Sequence, residues 1–282
     1  MRKLEGKIVA ITGAGSGVGA ALARAFGEQG ATLAMMDIDP VGLERIADAL
    51  RARETTVSTH RVDVRRLDEL EAARDAMLAE HAAVDVLINN AGVTTFGAFE
   101  QLELEDMRRV IDINLWGVVY GCRAFVPALR TRPAAHVVNV ASEAGLVGMP
   151  WQSMYCASKF AVRGFSGALC AELAAADIGV TCVLPGATAT NILASATSTD
   201  PAMTDRLSQL LQSHAMSPQR LAGKVLRGVR RNRAEVFAGT DSWLLDWGAR
   251  ATPGLVRWSM RLVARAAARR ECSSTHGGPR AG

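Results

Sequence analysis

The sequence predicts an α/β protein built on a doubly wound parallel sheet. Short apolar, β-rich runs alternate with longer stretches of helical periodicity from residue 7 to residue 185. The runs are nearly continuously apolar, as in strands buried on both faces. The first run also leads directly into a glycine cluster that opens a helix, "TGAGSGVG" at 12–19. Parallel strands need helical crossovers of one hand, which cover both faces of the sheet and leave ligands at the carboxyl ends of the strands.

The elements follow in order. "KIVAIT" (7–12) is the first predicted strand, with a helix at 17–29; "ATLAMMD" (31–37) is the second, with a helix at 40–53. A third strand at 56–64 precedes a helix at 67–81, and "VDVLINN" (84–90) is the fourth. Two helical stretches fill 100–131, "AHVVNVAS" (135–142) is the fifth strand, and a long helix spans 152–176. "GVTCVLP" (179–185) is the sixth strand. Beyond it the pattern predicts a mobile helical flap over 190–216, a helix at 218–232 and a last strand at 234–239. The organisation expected is one catalytic-type domain over 1–240 and a helical extension over 241–282, its last dozen or so residues disordered.

The chain has 282 residues, 49% of them apolar, which suits a folded domain with a sizeable core. A net charge of +4 is too small to imply a nucleic-acid partner. Five scattered cysteines without a CxxC pair point to reduced thiols and a cytoplasmic location. The histidines are equally scattered, so no metal site is expected. The N-terminal apolar run is too short for a secretory core, and no run reaches the roughly 18–20 apolar residues of a membrane span.

The glycine cluster places Gly13, Gly17 and Gly19, with Ser16 and Val18, between strand and helix. Their spacing is not G-x-G-x-x-G, yet bare backbone at a helix start suits close approach of a pyrophosphate. Asp37 ends the second strand some twenty residues on, where a carboxylate accepts from an adenosine ribose hydroxyl and repels a 2′-phosphate. No arginine or lysine stands in the loop or just after Asp37, where Ile38 is found. That favours NAD over NADP.

"SMYCASKF" (153–160) holds one of two tyrosines and one of four lysines in a chain with 28 arginines. Tyr155 and Lys159 are i and i+4 on one predicted helix, so they share a face. A tyrosine acting as a base near neutrality must be lowered by about three pKa units, about 4 kcal/mol, and a nearby ammonium does this. Ser142 ends the preceding predicted strand and is placed to hold a substrate oxygen. Taken alone, an exposed Tyr/Lys pair would be unremarkable.

Together, "TGAGSGVG", "NNAG" (89–92), Asn114 in "DINLWG", Ser142, "YCASK" and "PG" (185–186) resemble the short-chain dehydrogenases/reductases in order and spacing, over about residues 5–240. The resemblance implies a Rossmann-type sheet and an NAD(P)-dependent oxidoreductase, with NAD preferred on account of Asp37. It implies Tyr155 as general acid/base, Lys159 as the residue that lowers Tyr155 and binds the nicotinamide ribose, and Ser142 as the holder of the substrate oxygen. Asn114 would hold a water linking Lys159 to solvent. Asp63 and Val64 would contact adenine, and Asn90 would bound the cofactor groove. Thr188, by its backbone, and Thr190 would hold the carboxamide, and Pro185 and Gly186 would also bind the cofactor. The alternative is a non-catalytic cofactor-binding scaffold on the same fold, against which the intact Ser142, Tyr155 and Lys159 set argues.

A greasy pocket wall is expected from Phe96, Leu146, Met149, Trp151, Met154, Ile192 and Leu193, suiting a bulky apolar alcohol or ketone. The strand and glycine-rich tail that builds many family tetramers is missing. Instead, 241–270 carries Trp243, Trp247 and Trp258, an arginine stripe (257, 261, 265, 269), and an opposing face of Leu255, Trp258, Leu262 and Val263. Burial of this apolar surface on the domain's own flank or on a partner in a homo-oligomer is the favoured expectation, ahead of peripheral membrane contact.

Overall fold

The computed structural model describes the backbone of residues 1, 3–188, 197–200, 204 and 215–275, and the side chains of these except 240, 241 and 267–275. The strands are β1 (Ile8–Thr12), β2 (Thr32–Asp37), β3 (Val57–Arg61), β4 (Val86–Asn89), β5 (Thr95–Phe96), β6 (Ala135–Val140), β7 (Ile178–Pro185), β8 (Thr197–Ser198) and β9 (Glu235–Ala238). The α-helices are α1 (Gly17–Gly27), α2 (Pro40–Arg51), α3 (Leu67–His81), α4 (Leu104–Ile111), α5 (Gly117–Leu129), α6 (Ser153–Leu173), α7 (Pro218–Arg230), α8 (Thr240–Ala251) and α9 (Pro253–Thr275).

Seven strands form one parallel sheet in the order β3-β2-β1-β4-β6-β7-β9. Chain order reverses at β1, which pairs with β2 on one side and β4 on the other. This is the doubly wound, Rossmann-type arrangement expected, and its crevice opens at that reversal. The parallel register brings Thr12, Asp37, Asn89, Val140 and Pro185 to the same edge.

Successive strand residues point to opposite faces and so feed two cores. Val9 and Ile11 pack with Leu22 and Phe26 of α1, Leu43 of α2 and Leu221 of α7. Ala10, Leu87 and Val137 pack with Met77 of α3, Phe125 of α5 and Val162 of α6. Phe26 and Phe125 are wholly buried, and each contributes about 2–3 kcal/mol of burial.

Several boundaries differ from expectation. β6 stops at Val140, so Ser142 stands beyond the strand and opens a 3-10 turn, Glu143–Gly145. The stretch 100–131 is not two plain helices: a π-helical turn, Asp112–Trp116, separates α4 from α5. β5 and β8 form a separate two-residue parallel pair that the sequence pattern is too short to announce. The flap expected at 190–216 lies largely outside the described residues, as do residues 276–282; α9 itself continues to Thr275 through part of the stretch expected to be disordered.

The extension is fastened to the domain. Leu245, Ala249 and Val256 pack on the α3/α5/α6 side of the core. Arg163 of α6 binds Glu235 of β9 and Asp246 of α8, each at 2.8 Å, and Arg250 closes on Asp246 at 2.9 Å. The tryptophans do not take part: Trp243, Trp247 and Trp258 are 56–61% exposed, so the domain's own flank does not cover them. The inward positions are taken by smaller residues on the opposite side of each helix.

At the amino ends of the strands, the buried Asp85 accepts from the Ile8 amide (3.0 Å), Lys7 Nζ (3.1 Å) and Arg132 Nε (2.9 Å). Burial pushes its carboxyl up, but these three donors outweigh burial and hold it below the ordinary value. Asp85→Ala should cost about 2–3 kcal/mol in urea unfolding, since Lys7 and Arg132 remain partly solvated. A depressed carboxyl contributes its stability above the unfolded-state pKa. The gap between wild type and Asp85→Ala should therefore be full above about pH 4 and shrink as pH falls below it.

Candidate active site

A cavity of about 1050 Å³ opens at the carboxyl edge of the sheet, over the β1/β4 reversal. Gly13, Ser16, Gly17 and Val18 line it at one end, with Asp37, Asp63, Val64 and Asn90. Ser142, Tyr155, Lys159, Pro185, Gly186 and Thr188 line it at the other. Thr190, Ile192 and Leu193 lie outside the described residues.

The glycine loop fits a dinucleotide. Gly13 has φ +66°, and a Cβ there would stand 2.9 Å from Ala91 Cα. A Cβ on Gly19 would stand 1.9 Å from the Gly13 carbonyl oxygen. Backbone alone can occupy these positions. Ser16 precedes α1 without capping it by its side chain, so the free amides of the first turn remain for an anion in the cavity. Asp37 does more than expected: its Oδ2 accepts from the Gly15 amide at 2.8 Å and its Oδ1 from the Asp39 amide at 3.0 Å. Gly15 is a loop residue that the motif reading passed over, although it stands in the same cluster.

Asn90 secures the loop from the other side, donating Nδ2 to the carbonyls of Thr12 (3.0 Å) and Gly13 (3.1 Å). Thr12 Oγ1 accepts from the amides of Asn90 and Ala91. Asp63 is engaged by the Arg65 guanidinium, which holds its carboxyl below the ordinary value. Val64 packs under Gly117, where a Cβ would meet it at 2.9 Å.

The polar end is assembled from three elements. Asn114, fully buried in the π-helical turn, accepts from the Val93 amide (2.8 Å) and donates to the Val93 carbonyl (2.9 Å) and Ser158 Oγ (3.1 Å). Its side chain thus clamps the segment after β4 against α6. Ser142 hydrogen-bonds the Tyr155 phenol and accepts from the Ala144 amide. Lys159 Nζ donates to the Val140 carbonyl at 3.0 Å and lies 5.7 Å from the centroid of the Tyr155 ring.

The Tyr155–Lys159 pair departs from the expected electrostatics. Burial pushes the Tyr155 phenol up to about 12, against a lowering by the Ser142 hydrogen bond. Burial likewise brings the Lys159 ammonium down to about 8. Each charged form loses its hydration in the same pocket, and that loss sets the direction of both shifts. As the residues stand, the lysine does not draw the phenol down.

The apolar wall is partly as expected. Phe96, Met149 and Trp151 line the cavity, and the Phe96 and Trp151 rings lie 6.1 Å apart. Trp151 holds φ +62°, a strained conformation for a bulky residue, stabilised by a hydrogen bond from the Gly97 amide to its carbonyl. Leu146 is instead part of the core, because the turn after Ser142 folds it under α6, and Met154 does not line the cavity. The motif reading missed Met260 and Val263 of α9, which complete the wall. With Val256 they recur at i, i+4 and i+7, so the spacing carried a signal of an inward stripe.

This geometry accords with the comparisons with known proteins. The short chain dehydrogenase family profile matches residues 7–201. A Mycobacterium tuberculosis protein assigned to the oxidoreductases, SadH, is 37% identical over 254 residues, covering 89% of this chain and 92% of its own. D-threitol dehydrogenase of Mycolicibacterium smegmatis is 36% identical over 183 residues, covering 65% of this chain and 70% of its own. The crystal structure of a short chain dehydrogenase/reductase from Burkholderia phymatum in complex with NAD superposes with a TM-score of 0.85 at 30% identity, covering 90% of this chain and 96% of its own. With the glycine loop, the Ser142–Tyr155 hydrogen bond and the Lys159 beneath it in one cavity, the chain belongs to the short-chain dehydrogenase/reductase family of oxidoreductases.

Proposed function

We propose that the protein is an NAD-dependent dehydrogenase that interconverts a secondary alcohol and a ketone on a bulky apolar small molecule. The observation that carries this reading is the Ser142–Tyr155 pair over Lys159, opening into a cavity walled by Phe96, Met149, Trp151 and Met260. When bound, the dinucleotide supplies the hydride exchange at its nicotinamide ring. Every other part of the reaction falls to this chain.

Gly13, Gly17 and Gly19 leave room for the pyrophosphate, and the first amides of α1 receive it. Asp37 accepts from the adenosine ribose hydroxyls, and Asp63 and Val64 contact the adenine. Pro185, Gly186 and Thr188 line the nicotinamide end of the cavity, where the Thr188 backbone would hold the carboxamide together with Thr190. Ser142 Oγ donates to the substrate oxygen and orients it toward the Tyr155 hydroxyl. Tyr155 takes the alcohol proton in oxidation and returns it to the ketone oxygen in reduction. Lys159 binds the ribose and supplies positive charge beneath the phenol, strengthened by the low dielectric of the filled pocket. Protons reach solvent by a water held between Lys159 and the π-helical turn at Asn114. Gly92 keeps that space open: a Cβ there would meet Asn114 Oδ1 at 3.2 Å and Lys159 Nζ at 3.5 Å.

The cytoplasmic location and a homo-oligomeric state belong to the same reading, by the reduced cysteines and by family habit. NAD is favoured over NADP because the Asp37 carboxylate lines the cavity at the end of β2, where it would repel a 2′-phosphate, and Ile38 offers no phosphate partner; the Burkholderia phymatum relative was crystallised with NAD.

Tyr155→Phe should lower kcat by about a thousandfold while leaving NADH binding, read by fluorescence titration, nearly unchanged. Activity within tenfold of wild type would remove the phenol from its role. Because Tyr155 must shed a proton held above its ordinary value, alcohol oxidation should rise with pH and ketone reduction should fall. Gly19→Ala should weaken NADH binding by more than about tenfold, because the new methyl group drives the Gly13 carbonyl out of place, with the circular dichroism of the fold retained. Asp37→Ala with Ile38→Arg should shift the kcat/KM ratio toward NADP by about tenfold or more. Since Asp37 also holds the Gly15 amide, Ile38→Arg alone serves as the control that leaves the loop pinned. A wild-type preference for NADP would reverse this assignment.

A further inference from the structure

We propose that α8 and the first half of α9 dock the protein on the surface of an anionic membrane, lying flat with their tryptophans among the lipid headgroups. The inference rests on these helices alone and does not depend on the reaction. Around α9 the side chains separate into three stripes. Val256 packs on the core and Met260 and Val263 line the cavity, so this stripe faces the domain. Leu255, Trp258 and Leu262 form a second stripe, exposed and apolar. Arg257, Arg261 and Arg265 form a third beside it, at successive i+4 positions. α8 adds exposed Trp243, Leu244 and Trp247.

Charge selects the occupant. Residues 247–270 hold six arginines and no acidic residue; set against +4 for the whole chain, this stretch of +6 leaves −2 for the rest. From 242 to 266 Asp246 stands as the sole carboxylate, and Arg163 and Arg250 already engage it. A second copy meeting this face about a twofold axis would bring two acid-free arginine stripes together. An anionic lipid surface instead attracts each arginine and takes the indole rings at its interface, where amphipathic aromatics concentrate. Among the described residues no helix is long and apolar enough to cross a membrane, so the contact is one that lies on the surface. Val263 is half-exposed and also lines the cavity, which puts it at the rim. A membrane holding this face therefore lies beside the cavity wall that α9 builds.

The test uses the full chain and flotation with two kinds of vesicle, pure phosphatidylcholine and phosphatidylcholine mixed with phosphatidylglycerol. The protein should float with the anionic vesicles, with a blue shift in tryptophan emission, and be released by high salt. Arg257→Gln/Arg261→Gln/Arg265→Gln should weaken this binding by about a hundredfold with an unchanged melting temperature. Trp258→Ser should weaken it as well, with the size in solution unchanged. Failure to float, or equal binding to neutral vesicles, would overturn the proposal. So would Trp258→Ser reducing the oligomer in size-exclusion chromatography while the wild type ignores vesicles; the face would then belong to a second copy.

Discussion

Backbone packed against backbone at the mouth of the β1/β4 reversal is the constraint on which the rest of this structure depends. Gly13 and Gly19 approach so closely that a single methyl group on Gly19 would sit 1.9 Å from the Gly13 carbonyl. Asn90 and Thr12 tie this turn to the end of β4, and Asp37 ties it to the end of β2. Three neighbouring strands thereby end on one hydrogen-bonded loop. The loop directs the amino end of α1 toward the cavity, and the helix places uncapped amides there.

The opposite end of the cavity follows a different rule. Asn114, Ser158 and Lys159 are buried polar groups, and each finds partners in neighbouring backbone or side chains. The Val93 clamp and the Lys159 bond to Val140 join the π-helical turn, the segment after β4, α6 and the end of β6. Such satisfied networks hold a site rigid, whereas a half-satisfied one is costly. The Tyr155–Lys159 pair is the exception in energy rather than in geometry. Burial disfavours the charge of both partners, so the pair is poised to respond strongly to any further charge brought into the pocket.

The extension links the site to the outside. Arg163, Glu235, Asp246 and Arg250 fasten α8 to the last strand and to α6, the helix that carries Tyr155 and Lys159. α9 then contributes cavity wall on one side and tryptophan and arginine on the other. One helix therefore shapes both the interior of the cavity and the exterior of the molecule, with no sharing of residues except at the rim.

Much of this was legible in the chain itself. The alternation of strands and helices, both-face burial and the glycine loop follow from apolar runs, helical periodicity and local backbone needs, all of which are short-range properties of sequence. Tyr155 and Lys159 sharing a face follows from helical spacing. What only the tertiary structure decided depends on contacts between distant segments. Asn114 meets Val93 and Ser158 because the π-helical turn aims it between two elements, and no local propensity announces that turn. Leu146 went to the core and Met260 to the cavity because packing, not hydrophobicity, chooses between two apolar environments. The exposed tryptophans show the same limit: periodicity marks a helix as two-faced, and only the folded domain determines which face it can reach.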